Sequence, residues 1–306
     1  MYLIDASIYI FQAHFSPYVE YTDRNGNELS ALYGFTQFLL QIRHRARASH
    51  IAVAFDESLF CGFRHQLCPN YKSNRELPDE NLARQLAACS EISSILGLCA
   101  FGSKTYEADD IVGTIASRVR AETQQATAIT IVSKDKDLAQ LLVNPKDNVW
   151  DYSSNRKRYW QDIIDDFGVT PTQLPDFLGL AGDAVDRISG VPGVGPVKAK
   201  VLLNEFHSLE GIYQNLHRVS AMELRGAARL QHQLEQFRDI AALSKRLATI
   251  VCDVEDPLER FSSVDLAHMA CLPPDLHRLG DFLEAFDFHR QDQERILNSA
   301  STIPKN

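Results

Sequence analysis

The sequence predicts an α/β fold built on a buried parallel sheet, and three runs carry the prediction. Tyr2-Leu3-Ile4 ends at Asp5, Ile51-Ala52-Val53-Ala54-Phe55 ends at Asp56, and Ile129-Thr130-Ile131-Val132 leads within three residues to Asp135 and Asp137. Short β-branched apolar runs separated by helical stretches are the pattern of strands covered on both faces. In parallel sheets ligands bind off the carboxyl ends of the strands, where these aspartates fall. Four carboxylates delivered to one edge repel one another unless a counter-charge is present. A divalent cation that takes oxygen ligands, Mg²⁺ or Mn²⁺, supplies it.

Two further clusters join them. Tyr106-Glu107-Ala108-Asp109-Asp110 precedes the apolar helical run Ile111 to Ala116. Acids are favoured in a first helical turn, which accounts for one or two of the three. Gly182-Asp183-Ala184-Val185-Asp186 places two carboxylates three apart, on one face if the segment is helical. Each cluster alone reads as a cap or a turn; five at strand ends and helix starts point to one metal-dependent site.

Composition is compatible with an intracellular enzyme. A chain of 306 residues buries a substantial core as one large domain or two smaller ones. No apolar run approaches the roughly 20 residues of a membrane span, and Asp5 inside the first apolar run argues for a strand and against a signal peptide. The cysteines (61, 68, 89, 99, 252 and 271) form no CxxC pair, so reduced thiols are expected. The net charge of −9 speaks against a nucleic-acid partner only until the nine clustered acids are set aside, because the remainder is balanced.

Local basic stretches exist. After Asp56 come Arg64, Tyr71, Lys72 and Arg75; the last two would share a helical face. Such a face is ordinarily solvated, but behind a strand-end aspartate it can clamp a phosphate and offset transition-state charge. The second stretch is Gly190-Val191-Pro192-Gly193-Val194-Gly195-Pro196-Val197-Lys198-Ala199-Lys200, between helical patterns near 175–180 and 197–206. A glycine-rich hairpin ahead of a helix start presents backbone N–H groups to a DNA phosphate without reading sequence. It follows no strand and lacks the Gly-Lys-Ser/Thr of a nucleotide loop, so ATP is not its ligand.

These motifs in this order resemble the 5′→3′ exonuclease/flap endonuclease family, and most closely the nuclease region that begins bacterial DNA polymerase I. The resemblance runs through Leu3-Ile4-Asp5-Ala6-Ser7, Ala54-Phe55-Asp56, Tyr71-Lys72-Ser73-Asn74-Arg75, Glu107-Ala108-Asp109-Asp110, Ser133-Lys134-Asp135-Lys136-Asp137 and Gly182 to Gly195. It continues in Leu224-Arg225-Gly226-Ala227-Ala228 and Leu243 to Thr249, and so covers nearly the whole chain.

It implies a PIN-like central parallel sheet flanked by helices, with a helical region that carries a helix–hairpin–helix. Residues 1–168 would be the catalytic region with a mobile helical arch at about 61–90. Residues 169–306 would be the DNA-binding region, with the helix–hairpin–helix at about 172–206. By the same resemblance Asp5, Asp56, Glu107, Asp109 and Asp110 belong to a first metal site with Asp135 and Asp137 beside them, and Asp183 and Asp186 complete a second. Tyr71, Lys72 and Arg75 would act from the arch. Arg64, Gly190, Val191, Gly193, Gly195, Lys198 and Lys200 would meet DNA, with a K⁺ ion at the hairpin.

The implied activity is metal-dependent cleavage of DNA at a 5′ flap, overhang or nick, in replication or repair, by a cytoplasmic monomer. Two divalent ions about 4 Å apart would activate a water and stabilise the leaving oxygen. Two departures from the family pattern stand out: Gln12 where an arginine is usual, and Arg187 where asparagine is common. The rival readings are a PIN-like ribonuclease, which the hairpin argues against, and a non-catalytic DNA-binding module, which nine retained carboxylates argue against.

Overall fold

Apolar runs and amphipathic stretches alternate along the first half of the chain, and a computed structural model, which describes residues 1–304, resolves them into regular elements. In order these are β1 (Tyr2–Asp5), α1 (Ala6–His14), α2 (Ser30–Ala46), β2 (Ile51–Asp56), α3 (Phe63–Leu67), α4 (Glu80–Ile95), β3 (Cys99–Ser103) and α5 (Ala108–Glu122). Then follow β4 (Thr130–Val132), β5 (Asn148–Asp151), β6 (Arg156–Arg158), α6 (Trp160–Phe167), α7 (Leu174–Ala181), α8 (Pro196–Phe206), α9 (Leu209–Gln214) and α10 (Leu216–Val219). Helices α11 (Ala227–Gln236), α12 (Arg238–Ala248), α13 (Leu276–Ala285) and α14 (Arg290–Ser301) complete the series.

The chain divides into two compact units. The first comprises 1–58, 77–134 and the described part of 251–306; the second comprises 59–76 and 135–250. In the first unit four parallel strands lie in the order β3-β2-β1-β4. Tyr2 stands opposite both Ile51 and Thr130, Asp5 opposite Ala54, and Asp56 opposite Ser103. The carboxyl ends are therefore neighbours, and Asp5 and Asp56 close adjacent strands. Leu3, Ile4, Val53, Ile131 and Val132 are all at most 1% exposed, which is why these runs read as continuously apolar. Leu32, Phe35, Leu39 and Ile42 of α2 and Ile111, Val112, Ile115 and Val119 of α5 fill the rest of this core. Each such side chain contributes about 1.5–3 kcal/mol.

By contacts, residues from 251 onward group with this unit, whereas the expected helical region was 169–306; Lys305 and Asn306 lie outside the described residues. Polar ties explain the placement. Val251 N donates to Asp110 Oδ1 at 2.8 Å, Ser103 Oγ donates to Glu259 Oε1 at 2.7 Å, and Arg43 Nη2 donates to the Leu272 carbonyl at 3.1 Å. Arg24 pairs with Glu284 at 2.7 Å and Asp287 at 2.8 Å.

In the second unit β5 and β6 form an antiparallel pair, with Val149 opposite Arg158. Phe177, Leu178 and Leu180 of α7, Leu202, Leu203 and Phe206 of α8, and Leu247 of α12 are buried. Lys245 of α12 binds Asp176 of α7 at 2.7 Å and Glu210 of α9 at 2.8 Å, so one ammonium serves three helices. Among the described residues no helix is long and apolar enough to cross a membrane.

Asp110 is fully buried, and it accepts from Glu107 N at 3.0 Å as well as from Val251 N. Asp110→Ala leaves one buried and one part-buried donor without that acceptor and is expected to lower stability by about 2–4 kcal/mol, while Asp110→Asn costs roughly half as much. Urea denaturation of the two variants beside the parent protein measures both values.

Candidate metal and nucleic-acid site

In the first unit the acids are set by strand ends and one helix start. Asp5 ends β1 and caps α1 without a loop; it is buried, and its Oδ2 accepts from Ser133 Oγ at 2.9 Å. Asp56 ends β2, where its Oδ1 accepts from Ser58 N at 3.1 Å and Ser58 Oγ at 2.8 Å. Glu107 is the N-cap of α5, and it and Asp110 form a capping box, each side chain bonding the other residue's backbone. Asp109 lies half-buried in the first turn, where the helix dipole favours a carboxylate. Backbone donors meet both oxygens of Asp110, so it positions Glu107 and anchors the 251 segment.

The second unit carries the other four. Asp135 Oδ1 accepts from Asp137 N at 2.8 Å, and Asp137 opens a short 3-10 turn. Asp183 and Asp186 do not share a helical face. They occupy a turn closed by reciprocal backbone bonds between Asp183 and Ile188, both 2.8 Å. Asp183 Oδ1 fixes that turn by accepting from Val185 N at 2.7 Å. Lys136 Nζ donates to Asp183 Oδ2 at 2.5 Å.

Residues 61–90, expected as a helical arch, divide between the two units. Helix α3 and the turns to residue 76 belong to the second unit, whereas α4 belongs to the first. Lys72 and Arg75 lie in a non-helical turn, with Lys72 at φ 49°. They still converge, since Arg75 Nη2 reaches Asp186 Oδ1 at 3.0 Å and Lys72 Nζ lies 3.8 Å from Asp186 Oδ2. Lys72 N also donates to the Asp186 carbonyl at 3.0 Å and Asn74 Nδ2 to the Val185 carbonyl at 3.2 Å. Lys72 is buried and Arg75 exposed. Tyr71 is a core residue whose ring lies 5.0 Å from Lys72 Nζ.

Charge crowding shows in the titration of these groups. Burial and the neighbouring Asp135 push the Asp137 carboxyl up to about 7. Burial also pushes Asp183 up, but Lys136 and the backbone donors of Val185 and Asp186 hold it below the usual carboxylate range.

The basic and glycine-rich residues divide sharply. Arg64 is not a DNA contact: it is 3% exposed and donates to the carbonyls of Leu247 at 2.9 Å and Thr249 at 2.8 Å. Gly190 and Val191 are also buried, with Gly190 N on Ser244 Oγ at 3.1 Å and Val191 N on the Leu180 carbonyl at 2.8 Å. The segment from Val191 to Val194 is a tight turn closed at 2.9 Å, with Pro192 followed by Gly193 at φ 80°, the pattern of a type II turn. Gly193, Gly195 and Lys200 are exposed, Gly195 is the N-cap of α8, and Lys198 Nζ folds back to the Gly193 carbonyl at 2.8 Å.

A divalent ion suits this donor set chemically, because every candidate is a hard carboxylate oxygen. Protein cations now serve two of the second unit's candidate acids, Lys136 at Asp183 and Lys72 and Arg75 at Asp186. Among the described residues no group of three or more His, Cys, Asp or Glu side chains forms a ready metal cage. Lys136 and Ser133 were not anticipated as participants; Lys136 stands between two acids of one motif, which was the available signal.

Known proteins share these features. The family described as "5′-3′ exonuclease, N-terminal resolvase-like domain" matches residues 1–168, and "5′-3′ exonuclease, C-terminal SAM fold" matches 169–269. A "5′-3′ exonuclease" of Buchnera aphidicola subsp. Baizongia pistaciae is 30% identical over 294 residues, covering 94% of this chain and 91% of that protein. "Flap endonuclease Xni" of Serratia proteamaculans is 37% identical over 220 residues, covering 71% of this chain and 82% of that protein. "DNA polymerase I" of Streptococcus pneumoniae is 32% identical over 97% of this chain, which spans 33% of the polymerase. The fold matches a solved structure described as "Divalent metal ions (zinc) bound to T5 5′-exonuclease", with TM-score 0.63, 17% identity, and coverage of 98% of this chain and 99% of that one. It also matches the catalytic core of Rad2 in complex with DNA substrate, with TM-score 0.62, 15% identity, and coverage of 98% and 91%.

Two outcomes test this account. An added Cβ at Gly190 would meet Gly182 N at 2.3 Å, whereas one at Gly195 meets nothing within 4 Å. Gly190→Ala is expected to cost more than about 2 kcal/mol and Gly195→Ala less than about 0.5 kcal/mol, read from urea midpoints. The second outcome follows from Asp137. Its folded pKa lies above the unfolded value, so in EDTA the native state holds a proton that the unfolded chain releases, and stability falls as pH rises from about 4 to about 7. Asp137→Asn should remove that fall, gaining on the order of 1–3 kcal/mol over the parent at pH 8 but not at pH 4.

Proposed function

Because the chain belongs to the 5′-3′ exonuclease family, we propose that it is a structure-specific 5′ nuclease that hydrolyses DNA phosphodiester bonds in replication or repair. It combines 5′→3′ exonuclease and 5′-flap endonuclease activities. The carrying observation is the pairing of opposite charges at Asp186, where a candidate metal-binding carboxylate and two phosphate-seeking cations, Lys72 and Arg75, occupy one turn contact.

Asp5, Asp56, Glu107 and Asp109 are the residues that would hold one divalent ion, Mg²⁺ or Mn²⁺, and Asp135, Asp137, Asp183 and Asp186 a second. Bound ions of this kind supply a water of lowered pKa and positive charge against the attacked phosphate. The protein's own groups do the rest. Asp110 fixes Glu107 through the capping box. Ser133 and Ser58 orient Asp5 and Asp56 by donating to them. Arg75, exposed and forked, meets phosphate oxygens and offsets the charge that grows during attack. Lys72 adds a fixed charge, held by its buried stem, its backbone bond to Asp186 and the Tyr71 ring. No side chain is required as nucleophile.

Recognition is of structure. The exposed turn at Gly193 and Gly195, the dipole of α8 and the ammonium groups of Lys198 and Lys200 suit the backbone of duplex DNA. A K⁺ ion at the hairpin belongs to the same proposal, and the Gly193 carbonyl, now accepting from Lys198, is a donor suited to it. Substrates would carry a 5′ flap, an overhang or a nick, and the protein would act as a monomer in the cytoplasm.

Single-turnover cleavage of a 5′-flap duplex tests the proposal. Activity should vanish in excess EDTA and return with Mg²⁺ or Mn²⁺, and Asp186→Ala should abolish it. Arg75→Ala should slow it on the order of 10²-fold with little loss of stability, since an exposed ion pair is worth only about 0–1 kcal/mol. Undiminished cleavage in EDTA would overturn the reading.

A further inference from the structure

We infer that Lys136 is a built-in cation that holds the second unit's carboxylates when no divalent ion is bound and competes with that ion for Asp183. The inference rests on the metal reading above and concerns a residue to which that reading gives no task. Lys136 lies between Asp135 and Asp137 in sequence, and its Nζ stands 2.5 Å from Asp183 Oδ2, on a carboxylate that is only 5% exposed. One ammonium thus binds Asp183 directly from a position flanked in sequence by two more of the candidate acids. It is a compact point charge with several donors, occupying the role that a hard cation with oxygen ligands would take over.

Lys136 and Lys72 differ in their freedom to leave. Lys72 is fixed: its side chain is 6% exposed and its backbone N–H is bonded to the Asp186 carbonyl. The Lys136 side chain is 40% exposed and borders an open cavity of about 490 Å³ whose lining includes Phe167, Phe177 and Lys200. It can swing away without breaking a backbone contact, and rehydrating its ammonium there carries little penalty. A divalent ion arriving at Asp183 brings twice its charge, so exchange is favoured once the ion is abundant. Lys136 therefore sets the concentration of metal at which the second unit's acids become occupied. An ordinary ion pair makes a different prediction, since its removal leaves metal affinity unchanged.

Mn²⁺ titration of the full chain without DNA decides the matter, with free Mn²⁺ followed by its electron paramagnetic resonance signal and heat by calorimetry. Lys136→Met should bind its weaker Mn²⁺ on the order of tenfold more tightly than the parent, while Lys136→Arg, which keeps the charge, stays near the parent. In EDTA Lys136→Met should melt below the parent and gain more on addition of Mn²⁺. Melting also reports folding, and if the Met variant does not fold, Lys136→Gln takes its place with the same expected gain in affinity. Equal or weaker Mn²⁺ binding in the charge-removed variant overturns the inference. A parent protein that binds no Mn²⁺ would instead refute the metal reading beneath it.

Discussion

Carboxylates placed close together must be compensated, and the means of compensation shapes the structure wherever these acids occur. At Asp110 it is two backbone N–H groups, at Asp5 the Ser133 hydroxyl, at Asp183 Lys136 and the turn amides, and at Asp186 the cations Lys72 and Arg75. At Asp137 compensation falls short, and burial together with the neighbouring Asp135 pushes its carboxyl up to about 7. Acids satisfied by backbone are locked into the scaffold. Those satisfied by mobile side chains or left in excess remain open to exchange with an incoming cation. The same residue type thereby serves architecture and chemistry in one chain, and the donor tells which.

The hairpin repeats that division at the level of backbone. Gly190 and Val191 turn inward and spend their N–H groups on Ser244 and Leu180, while Gly193 and Gly195 face solvent. The inner pair fixes the outer one, because the turn at Pro192 can point only one way once its flanks are bonded. A grip on an irregular polymer such as a phosphate backbone benefits from such rigidity, since little conformational freedom remains to be lost on contact.

Much of this was legible in the sequence. The strands ending at Asp5 and Asp56 were visible because burial on both faces demands continuous apolar runs, and the hairpin because Pro192-Gly193 dictates its turn. β3 was not singled out, since Gly102 interrupts it and Cys99 and Ala100 are only half-buried. The helical face expected for Lys72 and Arg75 failed because three-residue spacing suits a turn as well as a helix, and a left-handed residue at Lys72 ends any helix there. Arg64 was mistaken for a surface cation because its carbonyl partners lie 183 and 185 residues further on. The bond from Val251 to Asp110 spans 141 residues, and no local pattern encodes a partner at that distance. The family comparisons reach the fold and the activity class without resolving such individual roles.

The interleaving of the two units along the chain has a consequence for how the protein is made. The first unit draws on three separate stretches, and its third arrives only after all of the second has been synthesised. A nascent chain that has passed residue 250 can complete the second unit, whereas Asp110 still awaits Val251 and Arg24 still awaits Glu284. The unit of parallel strands, although encoded first, is finished second. Until then its helix α5 keeps exposed the surface that the late segment covers, which makes this interval the one in which a chaperone or a premature stop would matter most.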